Sequence, residues 1–163
     1  MTTLVAFYIR VPTSEIERLR EHPEILPKYD PRVALGDGRG LDLGRAWEAL
    51  GCLLDGGVRA PEIGPTVGEE PLPGTDTRAV WSYVSAARVE EIARRLGELD
   101  RQQFREIYDV DPEDTADSLP DERTAGWGGR SDYLYKKLRL LAKHYREAAE
   151  QGEAILVRIG ERV

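Results

Sequence analysis

Few side chains in this chain are equipped for chemistry. His22, His144 and Cys52 are its only imidazoles and its only thiol. A histidine base must lie within hydrogen-bond reach of the proton it moves, and neither histidine has a matching partner in its own segment. His144 falls on a markedly basic helix, where solvation is the expected state. Cys52 would need a lowered pKa and a nearby base to act as a nucleophile. No histidine is close to it in sequence, so it reads as a small, shielded residue of a packed helix. Carboxylates are plentiful but poorly spaced for a metal. Between Asp109 and Glu122 every charged residue is acidic, yet a calcium loop requires a glycine at its sharp turn and a glutamate at its twelfth place. Both are missing, and the run reads as a solvated acidic loop. The cluster Gly36-Asp37-Gly38-Arg39-Gly40 suggests a phosphate loop, but it follows no strand and lacks the Gly-Lys-Ser/Thr ending. Turn chemistry explains it as a flexible connector running on from Pro27 and Pro31. The spacing therefore supplies no catalytic residue, no metal ligand set and no cofactor motif. What is left is binding chemistry: Asp42, Arg45 and Glu48 at one helix, Glu69 in a long loop, and Trp127 with Arg130 on a glycine-rich hinge.

The helix that would carry Asp42, Arg45 and Glu48 is expected over residues 42–55. At 3.6 residues per turn Leu43, Trp47, Leu50 and Leu54 share one face, Ala46 and Leu53 widen it, Asp42 is the N-cap and Gly56 the stop. Its other face holds Ala49, Gly51 and Cys52 in place of a charged back, which makes the helix central. Residues 4–11 are almost uninterruptedly apolar and read as a strand covered on both faces. Ser14 and Glu17 have capping-box spacing for a short helix that buries Ile16 and Leu19. Residues 58–78 hold four prolines and make a long surface loop. Residues 79–84 form a second strand. Ser85 then caps a helix with Val89, Ile92, Ala93, Leu96 and Leu99 inside and Glu90–Arg94 and Glu91–Arg95 pairs outside. Asp100 caps a helix carrying Phe104, Ile107 and Tyr108. Ser131 opens the longest helix, closed by Gly152, with Leu134, Leu138, Leu141, Tyr145 and Ala148 as its inner stripe. Tyr133 and Leu140 lie off that stripe and need cover, from the Trp127 segment or from a second copy. Residues 153–159 supply a third strand. The expected architecture is an α+β domain, a sheet of at least three strands packed by about five helices around the central one.

The 163 residues suit one domain. With 40% hydrophobic and 33% charged residues, the chain falls in the soluble globular class and neither the disordered nor the membrane class. No apolar run reaches the roughly 18 residues of a membrane span. One cysteine excludes an internal disulfide and fits a reducing compartment, and residues 1–4 lack a signal-peptide start, so the cytoplasm is expected. A net charge of −7 disfavours nucleic acid and anionic membrane and suits a basic protein partner. A monomer is favoured over a homodimer.

A family likeness extends over these segments in order. Leu41-Asp42-Leu43 with Arg45, Trp47, Leu50, Leu54 and Gly56, then Val67-Gly68-Glu69, then Arg95 to Arg101, then Tyr145-Arg146 with Gln151-Gly152, together resemble the YfbM-like family, a bacterial domain of unknown function. The resemblance implies one such domain over residues 1–163, and it implies no activity. Where related sequences place a histidine on the central helix this chain has Gly51, and their Ile-Tyr-Pro is not intact around Ser118-Leu119-Pro120. The chain thus reads as a small acidic module that binds or regulates another protein, with an immunity-type inhibitor of a basic toxin enzyme as one form. The alternative is a small-ligand protein or enzyme using carboxylates near the 58–78 loop.

Overall fold

Strand β1 (Leu4–Val11) is apolar without alternation because both of its faces are covered, as its sequence implies. A computed structural model describes residues 4–54, 65–73, 77–110 and 130–162; the side chains of residues 52, 108–110, 130 and 131 fall outside that description. Along the chain come α1 (Thr13–Glu21), a 3₁₀ turn (Pro23–Lys28), α2 (Pro31–Gly36), β2 (Gly40–Gly44) and α3 (Ala46–Leu54). They are followed by β3 (Glu70–Pro71), β4 (Ala79–Val84), α4 (Ala86–Gly97), α5 (Arg101–Val110), α6 (Arg130–Gln151) and β5 (Ala154–Glu161). The five strands form one antiparallel sheet in the order β2-β1-β5-β4-β3. The fold is α+β.

The two central strands pair over their whole length, from Leu4 opposite Glu161 to Val11 opposite Ala154. On one sheet face Ala6, Tyr8, Ile155 and Val157 meet α3, α4, α5 and α6. On the other, Ile9, Val11, Leu156 and Trp81 meet α1, the 3₁₀ turn and α2. Leu134, Leu138, Leu141, Tyr145 and Ala148 of α6 are all fully buried, so the inner stripe read from the sequence is the one used. Gly152 closes α6 at φ +66°. The hydroxyls of Tyr8 and Tyr145 donate to the carbonyls of Thr66 and Pro65, each at 2.8 Å, and so fasten the segment before β3 onto the core.

Several local expectations are corrected. The segment from Pro27 to Gly40 is not a plain connector: Pro23–Lys28 is a 3₁₀ turn, and Asp30 caps α2 by accepting from the Arg32 amide at 2.9 Å. Ser14 caps nothing, since α1 starts at Thr13 after Pro12 and has no side-chain cap. The central helix starts later than residue 42. Leu41-Asp42-Leu43 is strand, because period 2 fits those leucines as well as period 3.6, and β1 offers a paired edge. Asp42 accepts from the Gly44 amide at 2.8 Å in a turn ahead of α3. Trp47 is half-buried, its indole N–H donating to the Leu4 carbonyl at 3.2 Å. On α4 the ion pairs are Arg88–Glu91 and Arg94–Glu98, so Arg94 reaches forward to Glu98 and not back to Glu90. Ser85 and Asp100 do cap α4 and α5. Asp100 and Gln103 exchange two bonds, a complete capping box.

Gly68 is a second device of close approach. A Cβ there would lie 2.6 Å from the Tyr83 nitrogen and would strike Ser82, whose hydroxyl accepts from the Gly68 amide at 3.1 Å. Only glycine lets this segment lie against β4.

Leu50 is fully buried and Glu48 exposed on the same helix. Leu50→Ala should lower stability by about 2–5 kcal/mol, Trp47→Ala by about 1–3, and Glu48→Ala by under about 0.5. Urea midpoints of the three variants check the order, and equal midpoints for Leu50→Ala and Glu48→Ala would defeat it.

Candidate functional site

Helices α4 and α6 lie side by side, and with the start of α5 they enclose an open groove of about 650 Å³. Its floor is apolar. Leu96 is buried, while Leu99 and Ala142 are partly covered and still reach the lining. Tyr135 stands at one end, in contact with Phe104 and stacked beneath the Arg101 guanidinium at 5.2 Å. The rim is basic: Arg139, Lys143 and Arg146 all line the groove. Lys143 has Glu147 at 3.7 Å, whereas among the described residues neither Arg139 nor Arg146 has a carboxylate within ion-pair distance. Among the described residues Asp100 is the one acid in the lining, and it is already engaged in the α5 cap. Leu140, 46% exposed, forms the outer lip. A volume of this size is within the range of ligand sites.

Among the described residues, those singled out from the sequence fall at opposite edges of the sheet. Asp42 sits on β2 and bonds Arg162 at 2.8 Å; Arg45 and Glu48 lie just beyond it, half-buried and exposed. Glu69 precedes β3 at the opposite edge of the sheet, four strand steps away, or roughly 19 Å. Its carboxylate accepts from the Ser85 amide at 2.6 Å, joining the Ser85 hydroxyl at the start of α4. Neighbouring Glu70 accepts from the Tyr83 hydroxyl at 2.6 Å, a bond that raises the Tyr83 pKa. Trp127, the acidic run Asp111–Glu122 and the side chains of Cys52 and Arg130 lie outside the described residues. Arg139, Lys143 and Arg146 register in the sequence only as part of a basic helix. Their i, i+4, i+7 spacing was the available signal. Among the described residues no group of three His, Cys, Asp or Glu side chains is placed to hold a metal ion, and no helix is long and apolar enough to cross a membrane.

The chain matches, over residues 1–158, the family described as "Domain of unknown function (DUF1877)". It belongs to that family. The crystal structure of YfbM from Escherichia coli, a protein of unknown function, superposes with a TM-score of 0.66. That alignment covers 95% of this chain and 99% of the other at 17% identity, a likeness of fold. No curated protein matches the chain. The DUF1877 fold here carries one polar feature that its sequence conceals. His144 is 6% exposed, not solvated, because it lies about 80° from the centre of the inner stripe of α6, only about 40° from Ala148 at its edge, and turns toward β1. Burial, reinforced by the charge of Arg10, lowers its pKa to about 4, against a weaker opposing bond with the Tyr8 backbone. His144 Nε2 and Arg10 Nε have no hydrogen-bond partner among the described residues, although Arg10 holds Glu153 at 3.2 Å and the Gly38 carbonyl at 3.1 Å.

A depressed histidine pKa means that the unfolded chain takes up a proton that the folded chain refuses. Stability is therefore complete above pH 6.5 and falls as the pH drops toward 4, by about 3 kcal/mol in total from this group. His144→Asn should flatten that part of the stability curve. Urea titrations at steps between pH 7 and 4 measure it, and identical pH slopes for the two proteins would sink the assignment.

Proposed function

We propose that this DUF1877 domain is a protein-recognition module and that its partner binds at the α4–α6 groove. The observation that carries the reading is the pair Arg139 and Arg146, which among the described residues have no carboxylate partner and lie beside an apolar floor. Many other described cations are paired locally, as in Arg88–Glu91, Arg94–Glu98 and Asp132 with Arg101 and Arg105, and those that are not, such as Arg20, Lys28 and Arg45, do not line the groove. Arginine and aliphatic groups left together on a rim are the composition of an interface. A reducing, cytoplasmic setting fits the single cysteine, and we take the free state to be a monomer.

A second reading, an immunity-type inhibitor of a basic enzyme, rests on the net charge of −7. That surplus resides in the segments 55–64, 74–76 and 111–129, whose sequence holds nine carboxylates and two arginines, Arg59 and Arg123. The remaining residues are balanced in charge. The alternative, a small-ligand protein or enzyme using carboxylates near the 58–78 loop, would draw on Glu69, whose carboxylate accepts from the Ser85 amide.

Replacing Leu140 by a photo-crosslinking phenylalanine derivative should capture one stoichiometric, saturable protein partner in the native host. The same group at Val33, which is more exposed than Leu140 but on α2 across the sheet, should not. Capture at Val33 alone, or at neither position with folded protein, refutes the groove as the partner site.

A further inference from the structure

We infer that the occupant of this groove is an acidic amphipathic segment of the partner, one that sets two or more carboxylates beside an aliphatic side chain. The inference rests on the groove being the partner site and adds the chemistry of what fills it. Arg139, Lys143 and Arg146 project within about 60° of one another around α6 and span roughly 10 Å along its axis. Guanidinium forks take carboxylates bidentately, and an ammonium between them adds a point charge. Acids one or two helical turns apart on the partner match that spacing. Between the cations and α4, Leu96, Leu99 and Ala142 offer the aliphatic side chain its contact.

Charge complementarity selects this occupant over a basic one. The single acid among the described lining residues, Asp100, already accepts from the Gln103 amide at 2.8 Å, so among them a basic segment would meet three cations and no available carboxylate. An acidic segment, in contrast, is repelled by a chain of net charge −7 as a whole and attracted at this groove. Such a pattern sharpens orientation more than it raises affinity. The segment would therefore dock in one place and one register.

Selection of phage-displayed random peptides on the full-length chain tests the assignment. The wild type should enrich peptides carrying Asp or Glu at three- or four-residue spacing together with Leu, Ile, Met or Phe. A chain with both Arg139→Glu and Arg146→Glu should bind them about tenfold more weakly or worse, with an unchanged circular dichroism spectrum. Should the double reversal unfold the protein, Arg139→Gln with Arg146→Gln keeps the size and removes the charge. Enrichment of basic peptides overturns the inference, as does acidic enrichment that survives both double variants or no enrichment on folded protein. If crosslinking at position 140 captures a partner while the selected peptides are basic or neutral, the groove stands as the site and only the chemistry assigned to its occupant falls. If both experiments fail, both readings fall.

Discussion

Every other element is placed by one requirement: β1 and β5 must be covered on both faces. Their side chains are apolar in both directions, so a sheet with one wet side is not open to this sequence. One cover is made early, from α1, the 3₁₀ turn and α2, and is small. The other takes α3 to α6, of which the 22-residue α6, about 33 Å long, is the longest described helix. The groove is a by-product of that cover. Helices α4 and α6 both point their apolar stripes at the sheet, and the valley between their outer shoulders is left to whatever residues the sequence puts there. It puts cations.

The parts of this arrangement that were legible in the sequence are those with long, unmixed signals. Residues 4–11 and 79–84 coincide with β1 and β4, and Leu134 to Ala148 marks the buried face of α6. β2 was hidden because three residues, Leu41 to Leu43, satisfy both periods, and only the neighbouring strand decides between them. β3 is two residues long and exists through its bonds to β4. The site was half legible. Basicity of the long helix is plain in its sequence, but which helix lies beside it, and hence where a groove opens, is a tertiary fact. His144 was misjudged for a related reason: its neighbours Lys143, Tyr145 and Arg146 point in such different directions that local composition says nothing of its own.

Electrostatics divides the chain in two. The described residues carry balanced charge, with ion pairs scattered over helices and the sheet edge, most of them exposed and each worth little. The acid surplus is confined to three short stretches of sequence. Reading the net charge as a property of the whole surface would therefore mislead, because attraction for a partner depends on the local field. The buried Arg158 makes the same point from inside. It sits opposite Trp81 in the sheet register, 5.9 Å from the indole, and donates to the Glu161 carbonyl, so a strand that reads as apolar holds a cation at its heart.

The place of β5 in the sheet also has a consequence for how the protein is made. This strand lies between β1 and β4 and is paired with both, yet it follows every other element of the fold in the chain. While a ribosome is still elongating the domain, β1 and β4 therefore have no common neighbour, and their inward edges stay open with apolar side chains on both faces. The sheet cannot close from its first strand outward as a meander can. It closes at once, when residues 154–161 clear the exit tunnel and are inserted into a gap the rest of the chain has kept for them. Until β5 is in place, the open edges of β1 and β4 are the surfaces by which this chain would aggregate or meet a chaperone.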